Sequence, residues 1–136
     1  MTSHIYEVVA TVEAVSGVVG WAERVALSHS GMPSTSANVL LVCLQELVAN
    51  VALHARRGDG APALRVHLQI ARGFISVLIE DNSDAFDPLR DAPVNVDTDL
   101  ASASVGGRGL LIVRQLTRAM SYERAGEWNR LYLEID

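Results

Sequence analysis

Glu46 and Asn50 lie four residues apart in Gln45-Glu46-Leu47-Val48-Ala49-Asn50-Val51-Ala52-Leu53-His54-Ala55. On a helix that spacing is about one turn, so both polar side chains face the same way. Their neighbours are mostly apolar, and a buried polar group without a partner costs free energy. A carboxylate can orient or deprotonate a hydroxyl, and an amide oxygen can ligate a hard cation such as magnesium. The pair suits a site where a cation and a phosphate meet a hydroxyl. It also suits the half-exposed polar edge of an amphipathic helix, and the two residues alone leave both readings open.

A second candidate is Asp81, in Glu80-Asp81-Asn82-Ser83-Asp84-Ala85-Phe86-Asp87-Pro88. Asp, Asn, Ser and Pro are turn formers, so a strand ending in a polar turn accounts for the composition. Alternation adds something more specific. Asp81 shares parity with Ile75, Val77 and Ile79, which places it on the covered face of a strand. A carboxylate there needs a donor, and an exocyclic amino group such as that of adenine is a suitable one. The third candidate is Val105-Gly106-Gly107-Arg108-Gly109-Leu110, directly before a helical pattern. Glycines let backbone N–H groups approach a phosphate, and a helix N-terminus adds a favourable dipole. Glycine-rich loops are common, so this cluster is ambiguous by itself.

The elements that must position these groups follow from periodicity. Residues His4 to Thr11 read as an edge strand. Val15, Val19, Ala22, Val25 and Ala26 give helical spacing from about Val12 to His29, weakened by Gly17 and Gly20. After the break at Ser30 to Ser34, a long helix starts near Ser34 to Ser36, which offer N-caps, and ends near Arg56-Arg57-Gly58. A hairpin follows, with Leu64, Val66, Leu68 and Ile70 alternating with Arg65, His67 and Gln69, a turn at Arg72-Gly73, then Ile75, Val77 and Ile79. One face of this sheet is expected to be wet and the other covered by helices. Pro88 to Ser104 shows no period, and a loop that long in a compact domain is usually a lid or disordered. A helix is predicted from about Gly109 to Ala119. A closing hairpin runs from Met120 to Arg124, turns at Ala125-Gly126-Glu127, and returns from Trp128 to Ile135.

Composition narrows the classes. The 136 residues suffice for one domain with a core, and no repeat or internal boundary is visible. With 49% apolar but only 5% aromatic residues, that core must be aliphatic. A net charge of −5 and the lack of any basic block argue against a nucleic-acid surface. The single Cys43 rules out an intrachain disulfide and a multi-cysteine metal site, and reads as a packed small residue. His4, His29 and His67 show no metal-ligand spacing. His54 reads as a helix-end histidine that packs or caps, with a ligand role as the alternative. Trp21 and Trp128 read as packing or interface residues. No leader pattern is seen and no apolar stretch is judged long enough to cross a bilayer, so a cytoplasmic protein without membrane contact is expected.

Taken in order, a helix with Glu-x-x-x-Asn, a strand ending in Asp, a long loop and Gly-Gly-x-Gly opening a helix resemble the histidine-kinase-like (GHKL, Bergerat-fold) ATPases. Within them the chain is most similar to the anti-sigma-factor serine/threonine kinases of bacterial partner-switching systems. Phe86-Asp87-Pro88-Leu89 and the ending Tyr122-Glu123-Arg124…Asn129-Arg130-Leu131 extend the likeness over nearly the whole chain.

The resemblance implies an α/β fold, an α+β two-layer sandwich with a mostly antiparallel mixed sheet and about three helices on one face, as a single domain over 1–136. It implies ATP and Mg2+ as cofactors, Glu46 as general base and Asn50 as magnesium ligand. It further implies Asp81 on the adenine amino group, and Gly106, Gly107, Gly109 and Leu110 at the phosphates. Arg108 either contacts the phosphates or is an exposed lid arginine, and Arg90 to Val105 would be the lid. The implied substrate is a STAS-domain anti-sigma-factor antagonist, the implied target a sigma factor or other protein, and the implied assembly a homodimer. One departure is Ser83, where the family usually has Gly; it is expected to tighten the adenine pocket or lower affinity.

Competing readings remain. A sensor histidine kinase catalytic domain is disfavoured because no helix pair with a phospho-acceptor histidine precedes the motif. Ser83 keeps open a nucleotide-regulated binding module with little or no kinase activity. A structural domain without a ligand would gain no thermal stability from ATP and magnesium.

Overall fold

Alternating side chains build the sheet, and helical stripes cover one of its faces. The computed structural model describes residues 1–54, 60–90 and 105–136, the last stretch without the side chains of 105–108. The elements are β1 (Thr2–Val9), α1 (Ala14–Leu27), α2 (Ser34–His54), β2 (Ala63–Ala71), β3 (Phe74–Asp81), α3 (Val105–Leu116), β4 (Ala119–Ala125) and β5 (Trp128–Ile135). The five strands lie in the order β1-β2-β3-β5-β4, and all four pairings are antiparallel. β1 is an edge strand, as its position in the sequence suggests. The expected lid, the rest of the unpatterned stretch beyond Arg90, and the helix end near Arg56-Arg57-Gly58 lie outside the described residues.

The covered face of the sheet presents Leu64, Val66, Leu68, Val77, Ile79 and Leu133, all buried. They join Val18 and Ala22 of α1, Leu40, Leu44 and Val48 of α2, and Leu110 and Val113 of α3 in one aliphatic core. Cys43 is fully buried among them, and burial pushes its thiol up to about 11. Gly17 has a packing reason: a β-carbon there would lie 3.1 Å from the Tyr6 hydroxyl. The gap lets Tyr6 of β1 reach over α1 and pack on Trp21, with ring centroids 5.2 Å apart. His4 and His29 add a second link between β1 and the end of α1, with their Nε2 atoms 3.1 Å apart.

Two local expectations change. Ser36 does not cap α2; its hydroxyl donates to the Asp136 carbonyl at 2.5 Å, tying the helix start to the chain end. The first α2 hydrogen bond runs from the Ala37 N–H to the Pro33 carbonyl. By length and composition, α2 is also long and apolar enough to cross a bilayer, contrary to expectation. Its apolar stripe is instead spent on the core, with Leu40, Cys43, Leu44, Leu47 and Val48 buried.

The other face of the sheet is polar but not simply wet. Arg65, Glu80, Arg130 and Glu123 stand opposite one another across β2, β3, β5 and β4, a row of alternating charge. Glu80 is buried at its centre, 3.0 Å from Arg130 Nε, 2.6 Å from His67 Nε2 and 3.3 Å from Arg65 Nε. The Arg65 guanidinium stacks 3.7 Å from the Trp128 ring, which gives that tryptophan a packing role.

Candidate active site

Glu46 and Asn50 project from the same side of α2, half-buried, one turn apart. Glu46 meets α3. A β-carbon built at Gly109 would overlap its Oε2 and lie 3.2 Å from its Cδ. Only a residue without a side chain lets α3 approach the carboxylate this closely. α3 itself begins at Val105, four residues before the predicted start, and ends at Leu116 rather than Ala119. Three glycines disfavour a helix locally, which is why the sequence reads as a loop there. Buried Leu110 and Val113 anchor the helix through tertiary packing, which outweighs propensity. Gly106, Gly107 and Arg108 therefore fall in its first turn, where backbone N–H groups have no intrahelical acceptor and carry the positive end of the helix dipole.

Asp81 ends β3, buried, directly opposite Asn129 of β5. Three donors converge on its Oδ1: the Ser83 hydroxyl, the Ser83 N–H at 3.2 Å and Asn129 Nδ2 at 3.0 Å. Asn129 uses its whole amide. Nδ2 also donates to the Asp84 carbonyl at 3.0 Å, while Oδ1 accepts from the Phe86 N–H at 3.1 Å and the Tyr122 hydroxyl at 2.5 Å. Burial raises the Tyr122 phenol above its ordinary value, so it stays a neutral donor at physiological pH. Arg124 Nη1 holds the Ser83 carbonyl at 2.7 Å.

Ser83 sits here without backbone strain. Among the described residues no non-glycine has a positive φ, so this position does not demand glycine's dihedral freedom. The hydroxyl turns onto Asp81 instead of crowding the backbone.

Asn50 and Asp81 line one cavity of about 280 Å³ between α2 and the β3–β5 end of the sheet. Its walls are apolar, with Leu47, Val51, Ile79 and Leu131, and its polar groups cluster around Asp81. That is the form of a small-molecule site, apolar with a few placed hydrogen-bonding groups. A larger concavity of about 450 Å³ lies on the polar face of the sheet and is lined by none of the predicted site residues; Tyr122 borders both cavities.

Of the residues singled out by sequence, Asn50 and Asp81 share the cavity, and Glu46 and Gly109 meet beside it. Leu110 is buried in the core, where it secures α3. The side chain of Arg108 lies outside the described residues. His54 is exposed at the end of α2 and lines the cavity. Asn129 was missed as a site residue. It has the parity of Leu131, Leu133 and Ile135, so an inward-facing amide was legible by the rule that found Asp81.

An α2 pair, a strand-end Asp in an adjoining cavity and a glycine-bearing helix start lie together at one end of the sheet. Residues 8–135 match the histidine kinase-like ATPase domain family, and the chain belongs to it. It is a kinase-like ATPase domain, with ATP binding as the family's common property. Over 127 residues it is 29% identical to the serine/threonine-protein kinase BtrW of Bordetella bronchiseptica, covering 93% of this chain and 89% of that protein. The fold is shared with the structure of the RsbU and RsbW domains of Rv1364c from Mycobacterium tuberculosis, with a TM-score of 0.67 and 14% identity. That likeness covers 99% of this chain but only 32% of the other. The histidine kinase domain of the blue-light activated EL346 kinase from Erythrobacter litoralis is also similar, with a TM-score of 0.55 and 16% identity, over 90% of this chain and 59% of that one.

Proposed function

We propose that this chain is an ATP-dependent serine/threonine protein kinase and switch protein. It phosphorylates a STAS-domain anti-sigma-factor antagonist and sequesters a sigma factor or another target. The observation that carries this reading is the shared cavity: Asn50 and Asp81, thirty-one residues apart in sequence, line one space with Glu46 a helical turn away. Similarity to a serine/threonine-protein kinase over most of both chains supports the substrate class.

In this reading Asp81 accepts the adenine amino group and the apolar walls take the ring. The Asn50 amide oxygen is a hard donor of the kind magnesium accepts, and one protein ligand is in keeping with an ion that otherwise keeps phosphate oxygens and water. Magnesium, when bound, neutralises phosphate charge. Gly106, Gly107 and Gly109 offer backbone N–H groups to the phosphates from the first turn of α3, with Arg108 beside them. Glu46 holds the attacking hydroxyl and takes its proton on the carboxylate. Its contact with Gly109 fixes where that carboxylate stands relative to the helix start. A phosphate added to the antagonist places charge at its contact with the kinase and releases it. The protein acts as a cytoplasmic homodimer of single-domain chains, on the same resemblance.

Incubation with γ-labelled ATP, magnesium and a STAS-domain antagonist tests the reading. Transfer to a serine or threonine that is lost in Glu46→Ala supports it; tight antagonist binding with no transfer by the wild-type chain overturns the kinase assignment. Ser83, the residue that keeps a binding module with little kinase activity open, causes no backbone strain and donates to Asp81.

A further inference from the structure

His4 and His29 bring their Nε2 atoms to 3.1 Å, with the rings edge to face at 84° and their centroids 5.4 Å apart. His4 stands on the covered side of the edge strand β1, and His29 follows the end of α1 at the turn into α2. Both rings are half-buried. They are 25 residues apart in sequence, so no ligand spacing shows there and the fold alone joins them.

The separation is what two nitrogens on one metal ion require. With metal–nitrogen bonds of about 2.0–2.1 Å, neighbouring ligands lie about 2.9 Å apart at a right angle and about 3.3 Å apart at the tetrahedral angle. The observed 3.1 Å falls between these values. Among the described residues neither ring has a carboxylate partner, whereas His67 meets Glu80. Among the described residues no group of three or more His, Cys, Asp or Glu is placed to hold a metal ion, so an ion here takes two protein ligands and completes its shell with water. His29 borders a concavity of about 440 Å³, together with Thr2, Ser28 and Met32, which gives water and metal a way in.

We infer that His4 and His29 form a two-histidine site for a divalent transition-metal ion of the zinc and nickel class, which fastens β1 to the α1–α2 junction. Imidazole nitrogen suits these ions, while magnesium prefers oxygen. Without metal, one Nε2–H donates to the other Nε2. Metal binding needs both Nε2 lone pairs, so that proton passes through water to Nδ1 of its own ring, and a neutral pair releases no net proton. The site shares no residue with the cavity of Asn50 and Asp81 and stands independently of the nucleotide reading. Its effect is local. β1 pairs with the sheet along one side only, through β2, and the metal adds a second tie beside the packing of Tyr6 on Trp21.

Titration calorimetry with zinc chloride tests this, on the untagged full chain stripped of metal and free of nucleotide. One zinc should bind per chain, and magnesium chloride should not compete with it. Zinc at ten times its dissociation constant should raise the thermal midpoint by about 3 °C or more, and EDTA should reverse the rise. Loss of an outer-shell partner already costs about 10–100-fold in metal affinity, so His4→Gln and His29→Gln should each weaken zinc binding at least tenfold. His67→Gln should bind zinc as the wild type does. Zinc should slow hydrogen exchange of the β1 amides in the wild type and not in His4→Gln. Each variant is compared with itself with and without zinc, so loss of the direct His4–His29 hydrogen bond does not enter the comparison. Should neither variant fold, the ring resonances of His4 and His29 in the wild type decide, since zinc must shift both. No zinc binding, binding that persists in both variants, or ring resonances that zinc leaves unmoved would mean that the pair is a hydrogen bond only and no metal site exists here.

Discussion

Gly109 of α3 faces the carboxylate of Glu46 so closely that the smallest side chain does not fit between them: a β-carbon at 109 would lie 3.2 Å from Glu46 Cδ and overlap Oε2. A glycine often read as a loop element is here part of a helix–helix contact. The contact sets where the carboxylate stands. Gly109→Ala must push either α3 or Glu46 aside. Oε2 is the far end of a flexible side chain, so the carboxylate rather than α3 should give way, and stability read from denaturant midpoints should fall by less than about 1 kcal/mol. Phosphoryl transfer should fall by more than ATP affinity does, because the base moves while the cavity at Asp81 does not. Equal loss of transfer and ATP affinity would show that Gly109 shapes the nucleotide site and not the base.

Glu46 and Asn50 should separate when changed one at a time. Glu46→Ala is expected to bind ATP with magnesium nearly as the wild type does, and to lose transfer by about 10²–10⁴-fold, the usual worth of a general base. Asn50→Ala is expected to lose the thermal stabilisation that ATP plus magnesium gives, while keeping its own unfolding midpoint within a few degrees. If both variants bind and transfer normally, this pair has no role in the chemistry.

On the opposite face, Glu80 pairs with Arg65 and Arg130 and meets the His67 ring nitrogen. Glu80→Ala leaves Arg65, His67 and Arg130 facing a vacated site. The partners are a third or so exposed, so water offsets part of the loss. The expected cost is about 1–3 kcal/mol in urea unfolding. Nucleotide binding should be unaffected, because Glu80 points away from the cavity. A drop in ATP affinity would show that the charged row is coupled to the site through Arg130 and Asn129.

Cys43 offers a prediction with a pH sign. Its folded-state value of about 11 lies above the ordinary 9.0 because burial disfavours the thiolate. Between those values the unfolded chain gives up a proton that the folded chain keeps. The contribution is therefore complete below pH 9 and is lost as pH rises towards 11, by on the order of 3 kcal/mol in all. Urea unfolding at pH 8 and pH 10.5 should show a steeper loss for wild type than for Cys43→Ala, and a thiol reagent should label the native chain only as fast as it opens. Equal losses in both proteins would mean that the thiol is not shielded.

Much of this architecture was written in local pattern. The alternation around Leu64 to Ile70 and Ile75 to Ile79 specified a hairpin with one covered face, since a one-residue slip would have exposed every one of those side chains. Parity placed Asp81 inward before any contact was known. The four-residue spacing of Glu46 and Asn50 set them on one side of α2 because helical geometry allows nothing else. The same rule, applied to Trp128 to Ile135, would have found Asn129.

Contact across the chain decided the rest. No local rule predicts that three glycines enter a helix; the burial of Leu110 and Val113 in the common core does that. Ser83 read as a loss of flexibility, yet the fold sets its hydroxyl on Asp81 and stands Asn129 opposite through the β3–β5 register. The sequence by itself determined which groups are present and which face each one takes. Only the tertiary structure decided which of them meet, because hydrogen bonds and close approach depend on distances between elements that the chain's own periodicity does not encode.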